Sequence, residues 1–364
     1  MNAALARKAA VPQGPQARPI RLMIVDDSMV ARAVLSRMVE VGGGIEIAAV
    51  AGTAEDAVEA LAHVSVDVIL LDLEMPGAGG LARLPEILER ARGARVLIVS
   101  SLAGEGAAET LQALALGAAD TLLKPGTGRF QGRFSEILMG KIRALGQADD
   151  PADDAPVAVG PPLCAMGTEP LGLLAIGAST GGIHALGRFF SGLPAAIHAP
   201  ILVTQHLPVP FMSVFARQLT TAAGRPARIA REGMPLLADE ITIAPGDAHL
   251  TVEERRGELV VRLTSGRQTS GCLPSVDPML ASLAACRRPG TVAVILSGMG
   301  RDGVEGAAAL VAAGGSVLVQ DEGSSAVWGM PRAVAEAGLA AAILPPERLA
   351  RRVASRIGQF HADK

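Results

Sequence analysis

Short apolar runs alternate with stretches of helical period along almost the whole chain. In the first third the runs are Arg21–Val25, Ile45–Val50, Asp67–Leu71, Arg95–Val99 and Asp120–Leu123, each β-branched or leucine-rich and four to six residues long. Between and after them, Val30–Glu40, Ala54–Ala62, Leu81–Arg92, Glu105–Leu116 and Phe134–Leu145 space their apolar residues as amphipathic helices do. Strands this apolar, separated by helices, predict right-handed βαβ crossovers and a doubly wound, flavodoxin-like parallel sheet over residues 19–145. The pattern breaks at Gly146–Pro170, where five prolines and four aspartates predict an extended linker over 146–169. Alternation then resumes over 170–364. Strands are predicted at Leu171–Ile176, Pro200–Gln205, Arg228–Arg231, Ile241–Ala244, Leu259–Thr264, Val292–Leu296 and Ser316–Val319, giving a second, Rossmann-like α/β domain. His249–Leu263 reads as an inserted β-hairpin turning at Arg256-Gly257. Residues 1–18 read as a disordered tail, because Arg7, Lys8 and Arg18 interrupt any secretion-type apolar segment.

The ends of the first-domain strands carry the chemistry. Asp26 and Asp27 follow the first strand, Asp72 the third, Ser100 the fourth and Lys124 the fifth. In an open parallel sheet these positions face one crevice. Two carboxylates ~4 Å apart repel by about 4 kcal/mol at an effective dielectric near 20. Three of them together call for a divalent cation, and an all-oxygen set suits Mg2+. Asp72 is then placed to accept a phosphoryl group, with Lys124 and the Ser100 hydroxyl available to its oxygens.

Val25-Asp26-Asp27-Ser28, Leu71-Asp72-Leu73-Glu74-Met75-Pro76, Val99-Ser100-Ser101 and Leu123-Lys124-Pro125 resemble the motifs of response-regulator receiver domains. The resemblance implies that Asp72 is the phospho-acceptor. It assigns Mg2+ to Asp26, Asp27, Asp72 and the main-chain carbonyl of Glu74, the switch hydroxyl to Ser100, and the phosphoryl contact to Lys124. Two departures stand out: Gly79-Gly80 replaces the common Asp-Gly after Met75-Pro76, and Thr121 occupies the place of the usual aromatic switch residue.

In the second region a strand runs into Gly177-Ala178-Ser179-Thr180-Gly181-Gly182 and then a helix. Such a turn presents Ser179 at the top of the sheet and leaves main-chain N–H groups, that of Thr180 among them, for an oxyanion. His206 ends the next strand and is the preferred base, ahead of His184 on the following helix and His249 in a loop. Asp302, after the strand Val292–Leu296 and a glycine turn, is the candidate third member. The same glycines lie close to a dinucleotide fingerprint, but Gln205-His206 stands where an acid would hold a ribose. An idle receptor-binding module is the other alternative.

Ile176–Gly182, Gln205-His206-Leu207-Pro208, Ala244-Pro245-Gly246, Pro274-Ser275-Val276-Asp277 and Leu296–Gly303 together resemble the chemotaxis protein-glutamate methylesterase family, and the order receiver, linker, esterase extends the similarity over nearly the whole chain. The resemblance implies Ser179 as nucleophile, His206 as proton relay, Asp302 as orienting acid and the Met299 N–H as a second oxyanion donor. It also implies a phosphorylation-activated esterase that deamidates glutamines through the same acyl-enzyme. Its partners would be chemoreceptor cytoplasmic helices and a histidine kinase as phosphodonor. No cofactor is expected for hydrolysis itself.

Composition narrows the alternatives. With one Trp, seven Phe and no Tyr in 364 residues, aromatic platforms for bases are scarce, and a net charge of -3 provides no basic surface for a phosphate backbone. Nucleic acid is therefore not expected as a partner. Three cysteines, Cys164, Cys272 and Cys286, odd in number and without CxxC spacing, point to a reducing compartment and against a thiolate metal site. No apolar stretch approaches the ~20 residues of a membrane span, so a cytoplasmic, non-inserted protein is expected.

Overall fold

The computed structural model describes residues 18–100, 106–124, 132–146 and 162–358. Most of the expected tail, most of the expected linker, Ser101 and Pro125 lie outside the described residues.

The first sheet contains β1 (Ile20–Val25), β2 (Ile45–Ala51), β3 (Val68–Leu71), β4 (Arg95–Ser100) and β5 (Asp120–Leu123), all parallel in the order β2-β1-β3-β4-β5. Five helices wind around it: α1 (Met29–Gly42), α2 (Ala54–Leu61), α3 (Gly79–Arg90), α4 (Gly106–Leu116) and α5 (Arg133–Gly146). Strand alternation divides the core. Leu22 and Ile24 pack with Leu35, Val39, Leu138 and Ile142 of α1 and α5, whereas Met23 and Val25 face Leu84, Ile87 and Leu111 of α3 and α4. Each fully buried Leu or Ile stabilises such a layer by roughly 1.5–3 kcal/mol.

The second sheet has seven parallel strands: β6 (Leu173–Ala178), β7 (Ile201–Gln205), β8 (Ala227–Ile229), β9 (Ile241–Ile243), β12 (Thr291–Ile295), β13 (Ser316–Gln320) and β14 (Ala340–Leu344). Their order is β14-β13-β12-β6-β7-β9-β8. The expected hairpin is present as β10 (His249–Arg255) and β11 (Glu258–Thr264), turning at Arg256-Gly257 with both residues at positive φ. One face of the sheet carries α6 (Gly182–Ser191), α7 (Val209–Ala223) and α11 (Pro346–Ala354); the other carries α8 (Val276–Cys286), α9 (Val304–Ala312) and α10 (Met330–Glu336). His249, expected in a loop, opens β10 and is buried; its ring bonds the Gly266 carbonyl and accepts from the Ser275 N–H. Part of the expected linker lies against the second sheet, because the Cys164 N–H donates to Ala340 and the Gly167 N–H to the Ser316 hydroxyl.

The two α/β units meet through α4 and β5 of the first and α6, α7 and the Ser324–Val327 segment of the second. The apolar core is continuous across this junction. Polar contacts frame it: Gly181 N–H to Ala119 O (2.6 Å), Thr180 Oγ1 to Asp120 Oδ2 (2.6 Å), and Arg95 to the carbonyls of Ser325 and Ala326 (both 3.2 Å).

Candidate active site and phospho-acceptor site

The second sheet reverses its strand order at β6, which lies between β7 and β12. Ser179, His206 and Asp302 follow these three adjacent strands, at the point where α/β sheets open a crevice. Ser179 Oγ stands 3.1 Å from His206 Nδ1, and His206 Nε2 stands 2.7 Å from Asp302 Oδ2. With the Nε2 proton directed at the carboxylate, Nδ1 is free to accept the serine proton.

Local sequence explains how the serine is presented. Gly181 has φ +76°, and a Cβ there would meet the Ala326 Cβ at 2.5 Å and the Ser297 Oγ at 2.7 Å. The Ser179 N–H donates to Ser297 O, and Gln205 Nε2 donates to Ser179 O, pinning the turn on both sides. Among the described residues, the main-chain N–H groups of Thr180 and Met299 donate to no acceptor.

Asp302 is 1% exposed and is held at both oxygens: Ser275 Oγ donates to Oδ1 (2.6 Å) and the Val276 N–H to Oδ2 (2.7 Å). Burial alone would raise its pKa, but the His206 contact and these two donors outweigh it and hold the carboxyl well below the usual range. Asp277, buried beside it, moves the other way. Desolvation and the Asp302 charge push it up to about 6 despite the Gly306 N–H it accepts. Burial also opposes charge on the His206 ring, yet the hydrogen bond to Asp302 and the contact with Cys272 bring its pKa up to about 9.

That value has a kinetic sign. The base form of His206 is the neutral one, so kcat/KM should climb about tenfold per pH unit below pH ~9 and level above it. A pH–rate profile flat across the neutral range would contradict this assignment.

In the first sheet, Asp26, Asp27 and Asp72 place carboxylate oxygens within 4.8 Å of one another. Lys124 Nζ bridges Asp26 Oδ2 (2.8 Å) and Asp72 Oδ2 (2.5 Å), and the Glu74 N–H donates to Asp72 Oδ1 (3.1 Å). Asp72 is more buried than a strand end suggests, at 4% exposure. Lys124 covers it, and the start of α3 sits so close that a Cβ on Gly80 would meet the Asp72 carbonyl at 2.2 Å. Burial raises the Asp72 pKa, and Lys124 offsets only part of that rise. For Lys124, burial is outweighed by the two carboxylates, which hold the ammonium charged. One ammonium against three acids leaves net negative charge, and the donors are all oxygen, so the set fits Mg2+. The Ser100 hydroxyl pairs with that of Thr110 on α4 (3.1 Å), inside the domain. Thr121 Oγ1 is buried without a partner.

The Ser179 site lies against the interdomain contact. Leu114, Ala118, Ala119 and Asp120 of the first unit close over Ser179, His206 and Leu207, leaving about 10 Å³, room for one water at most. Sequence patterning offers no role for Asp120 or Ser275, and for Cys272 it argues against a metal-bound thiolate. The quoted Pro274-Ser275-Val276-Asp277 run was the one signal available for Ser275.

The family model for the CheB methylesterase matches residues 174–353, and that for the response regulator receiver domain matches residues 22–130. A protein-glutamate methylesterase/protein-glutamine glutaminase 2 of Caulobacter vibrioides is 42% identical, covering 93% of this chain and 99% of that protein. The chain belongs to the CheB methylesterase family. A protein-glutamate methylesterase/protein-glutamine glutaminase 1 of Paramagnetospirillum magneticum is 39% identical over 92% of this chain and 96% of its own. The crystal structure of the Thermotoga maritima CheB methylesterase catalytic domain is 33% identical and covers 51% of this chain and 98% of its own, with a TM-score of 0.49. Membership joins a CheB esterase unit to a receiver in one chain, in the order the two sheets follow. No helix among the described residues is long and apolar enough to cross a membrane.

Proposed function

We propose that this chain is a phosphorylation-activated serine esterase that hydrolyses glutamate γ-methyl esters, and deamidates glutamines, on chemoreceptor cytoplasmic helices. The observation that carries the reading is the Ser179–His206–Asp302 chain of hydrogen bonds at three adjacent strand ends. Ser179 Oγ attacks the γ-carbonyl while its proton passes to His206 Nδ1. The Thr180 and Met299 N–H groups receive the oxyanion. Collapse expels methanol, or ammonia from an amide, protonated by His206; water then cleaves the acyl-serine with His206 again as base. The ring nitrogens exchange the roles they hold in serine proteases, because Nδ1 serves the nucleophile and Nε2 the acid.

Control would come from the receiver. Asp26, Asp27, Asp72 and the Glu74 carbonyl would hold Mg2+, which supplies charge neutralisation for phosphoryl transfer from a histidine kinase to Asp72. Lys124 and Ser100 would then contact the phosphoryl group. The Lys124 N–H donates to Ser100 O, and Ser100 is tied to Thr110 of α4, so a change at Asp72 reaches the α4–β5 face that covers Ser179. A cytoplasmic location fits these partners.

The cover gives a direct expectation. Asp120→Ala removes the acceptor of the Thr180 hydroxyl, a contact of about 1.5 kcal/mol, and should raise unstimulated activity about tenfold while leaving the phosphodonor-stimulated rate unchanged. An unstimulated rate equal to the parent's would show that Asp120 does not hold the closed form.

The substrate class is tested by mass spectrometry of receptor peptides after incubation with the protein and a phosphodonor. Conversion of glutamyl methyl esters to glutamate and of glutamine to glutamate is expected. Unaltered peptides from every methylated receptor would remove the reading and favour a receptor-binding module.

A further inference from the structure

Cys272 makes and breaks no bond in the ester chemistry derived above, yet its Sγ, a ring nitrogen of His206 and a carboxylate oxygen of Asp302 all lie within 4.8 Å of one another. The thiol is half-buried and is carried by a well-anchored segment. Three residues on, Ser275 donates through its N–H to His249 Nδ1 and through its hydroxyl to Asp302. We propose that His206, Cys272 and Asp302 form a binding site for a borderline-soft divalent transition metal of the zinc class, and that its occupancy switches the esterase off. The inhibitory half of this proposal rests on the serine-esterase reading; the binding half does not.

The donor chemistry selects the metal class. A thiolate, an imidazole and a carboxylate are the ligand types of zinc, with a fourth position left for water, whereas the all-carboxylate cluster at Asp72 suits a hard cation. Thiolate and carboxylate together neutralise the divalent charge within a half-buried pocket. Ligand atoms on one tetrahedral zinc stand roughly 3.3–3.7 Å apart. His206 Nε2 and Asp302 Oδ2, at 2.7 Å, must therefore part to admit the ion. Asp302 is fixed by Ser275 and Val276, so the imidazole is the group that yields.

The same movement accounts for inhibition. Coordination at Nδ1 would take the lone pair that faces Ser179; coordination at Nε2 displaces the proton there, and a neutral ring then carries its remaining proton on Nδ1. A protonated Nδ1 cannot take the serine proton. The thiol also releases its proton on binding, so occupancy liberates acid.

The test uses the full-length, tag-free protein saturated with Mg2+, so that the receiver cluster is occupied, and titrates it with cobalt(II) as a spectroscopic probe. A thiolate-to-cobalt charge-transfer band that saturates at one equivalent is expected. It should vanish in Cys272→Ser and persist in the Cys164→Ser/Cys286→Ser variant. In parallel, the zinc concentration that halves methyl ester hydrolysis, scaled to each variant's own metal-free rate, should rise at least about tenfold in Cys272→Ser. If the serine variant does not fold, Cys272→Ala serves in its place. A missing band, a band that survives loss of Cys272, or unchanged zinc sensitivity would overturn the proposal. A Cys272-dependent band in a protein without hydrolytic activity would instead uphold the metal site and refute the esterase reading.

Discussion

Replacing Ser179 by alanine is expected to lower kcat by on the order of 10⁴-fold or more, because a nucleophile, its base and the orienting acid act as one unit. Binding and the oxyanion donors would survive, so residual hydrolysis above the uncatalysed rate should persist. The fold should survive as well. The Ser179 side-chain oxygen is bonded to His206, whereas the backbone contacts to Ser297 and Gln205 that fix the turn do not involve it. Methanol release and a thermal melt measured on the same preparation check both statements. A loss of activity below about tenfold would remove Ser179 from the nucleophile's role.

The second large effect is expected from Asp302→Asn. An asparagine amide can donate to His206 Nε2, which drives the ring proton to Nδ1 and leaves Ser179 without a base; loss of roughly 10³–10⁴ in kcat follows. The pKa should respond too. With the carboxylate gone, the His206 inflection should fall from about 9 toward the ordinary imidazole value, readable by NMR titration. Were Asp302 only an acid ahead of α9, the substitution would cost little activity and leave the His206 titration in place.

The strand-end residues were legible in the sequence for a physical reason. Parallel strands buried on both faces write themselves as apolar runs, and the residue after each run must face the crevice; hence Asp26, Asp72, Lys124, Ser179 and His206 could be placed without coordinates. Asp302 was reachable through the glycine turn after β12. What supports these residues was harder to see. Ser275, which holds Asp302, sits on a loop 27 positions away with no periodic signal. His249 stands first in the expected hairpin, where a strand's opening residue has no period of its own by which to read burial, yet it is buried and fixes that loop. Asp120 looked like the polar start of a strand. Its partner Thr180 comes from docking between units, which local pattern does not encode. For the same reason the apolar face of α4 read as ordinary core, although part of it covers the esterase.

The central claim is that phosphorylation at Asp72 governs hydrolysis at Ser179. The measurement that tests it most directly is methanol release from methylated receptor membranes, with and without a small phosphodonor and Mg2+, for the parent chain and Asp72→Ala. The account predicts stimulation of the parent, and an Asp72→Ala protein that keeps its basal rate but does not respond. Equal stimulation of both proteins would contradict it.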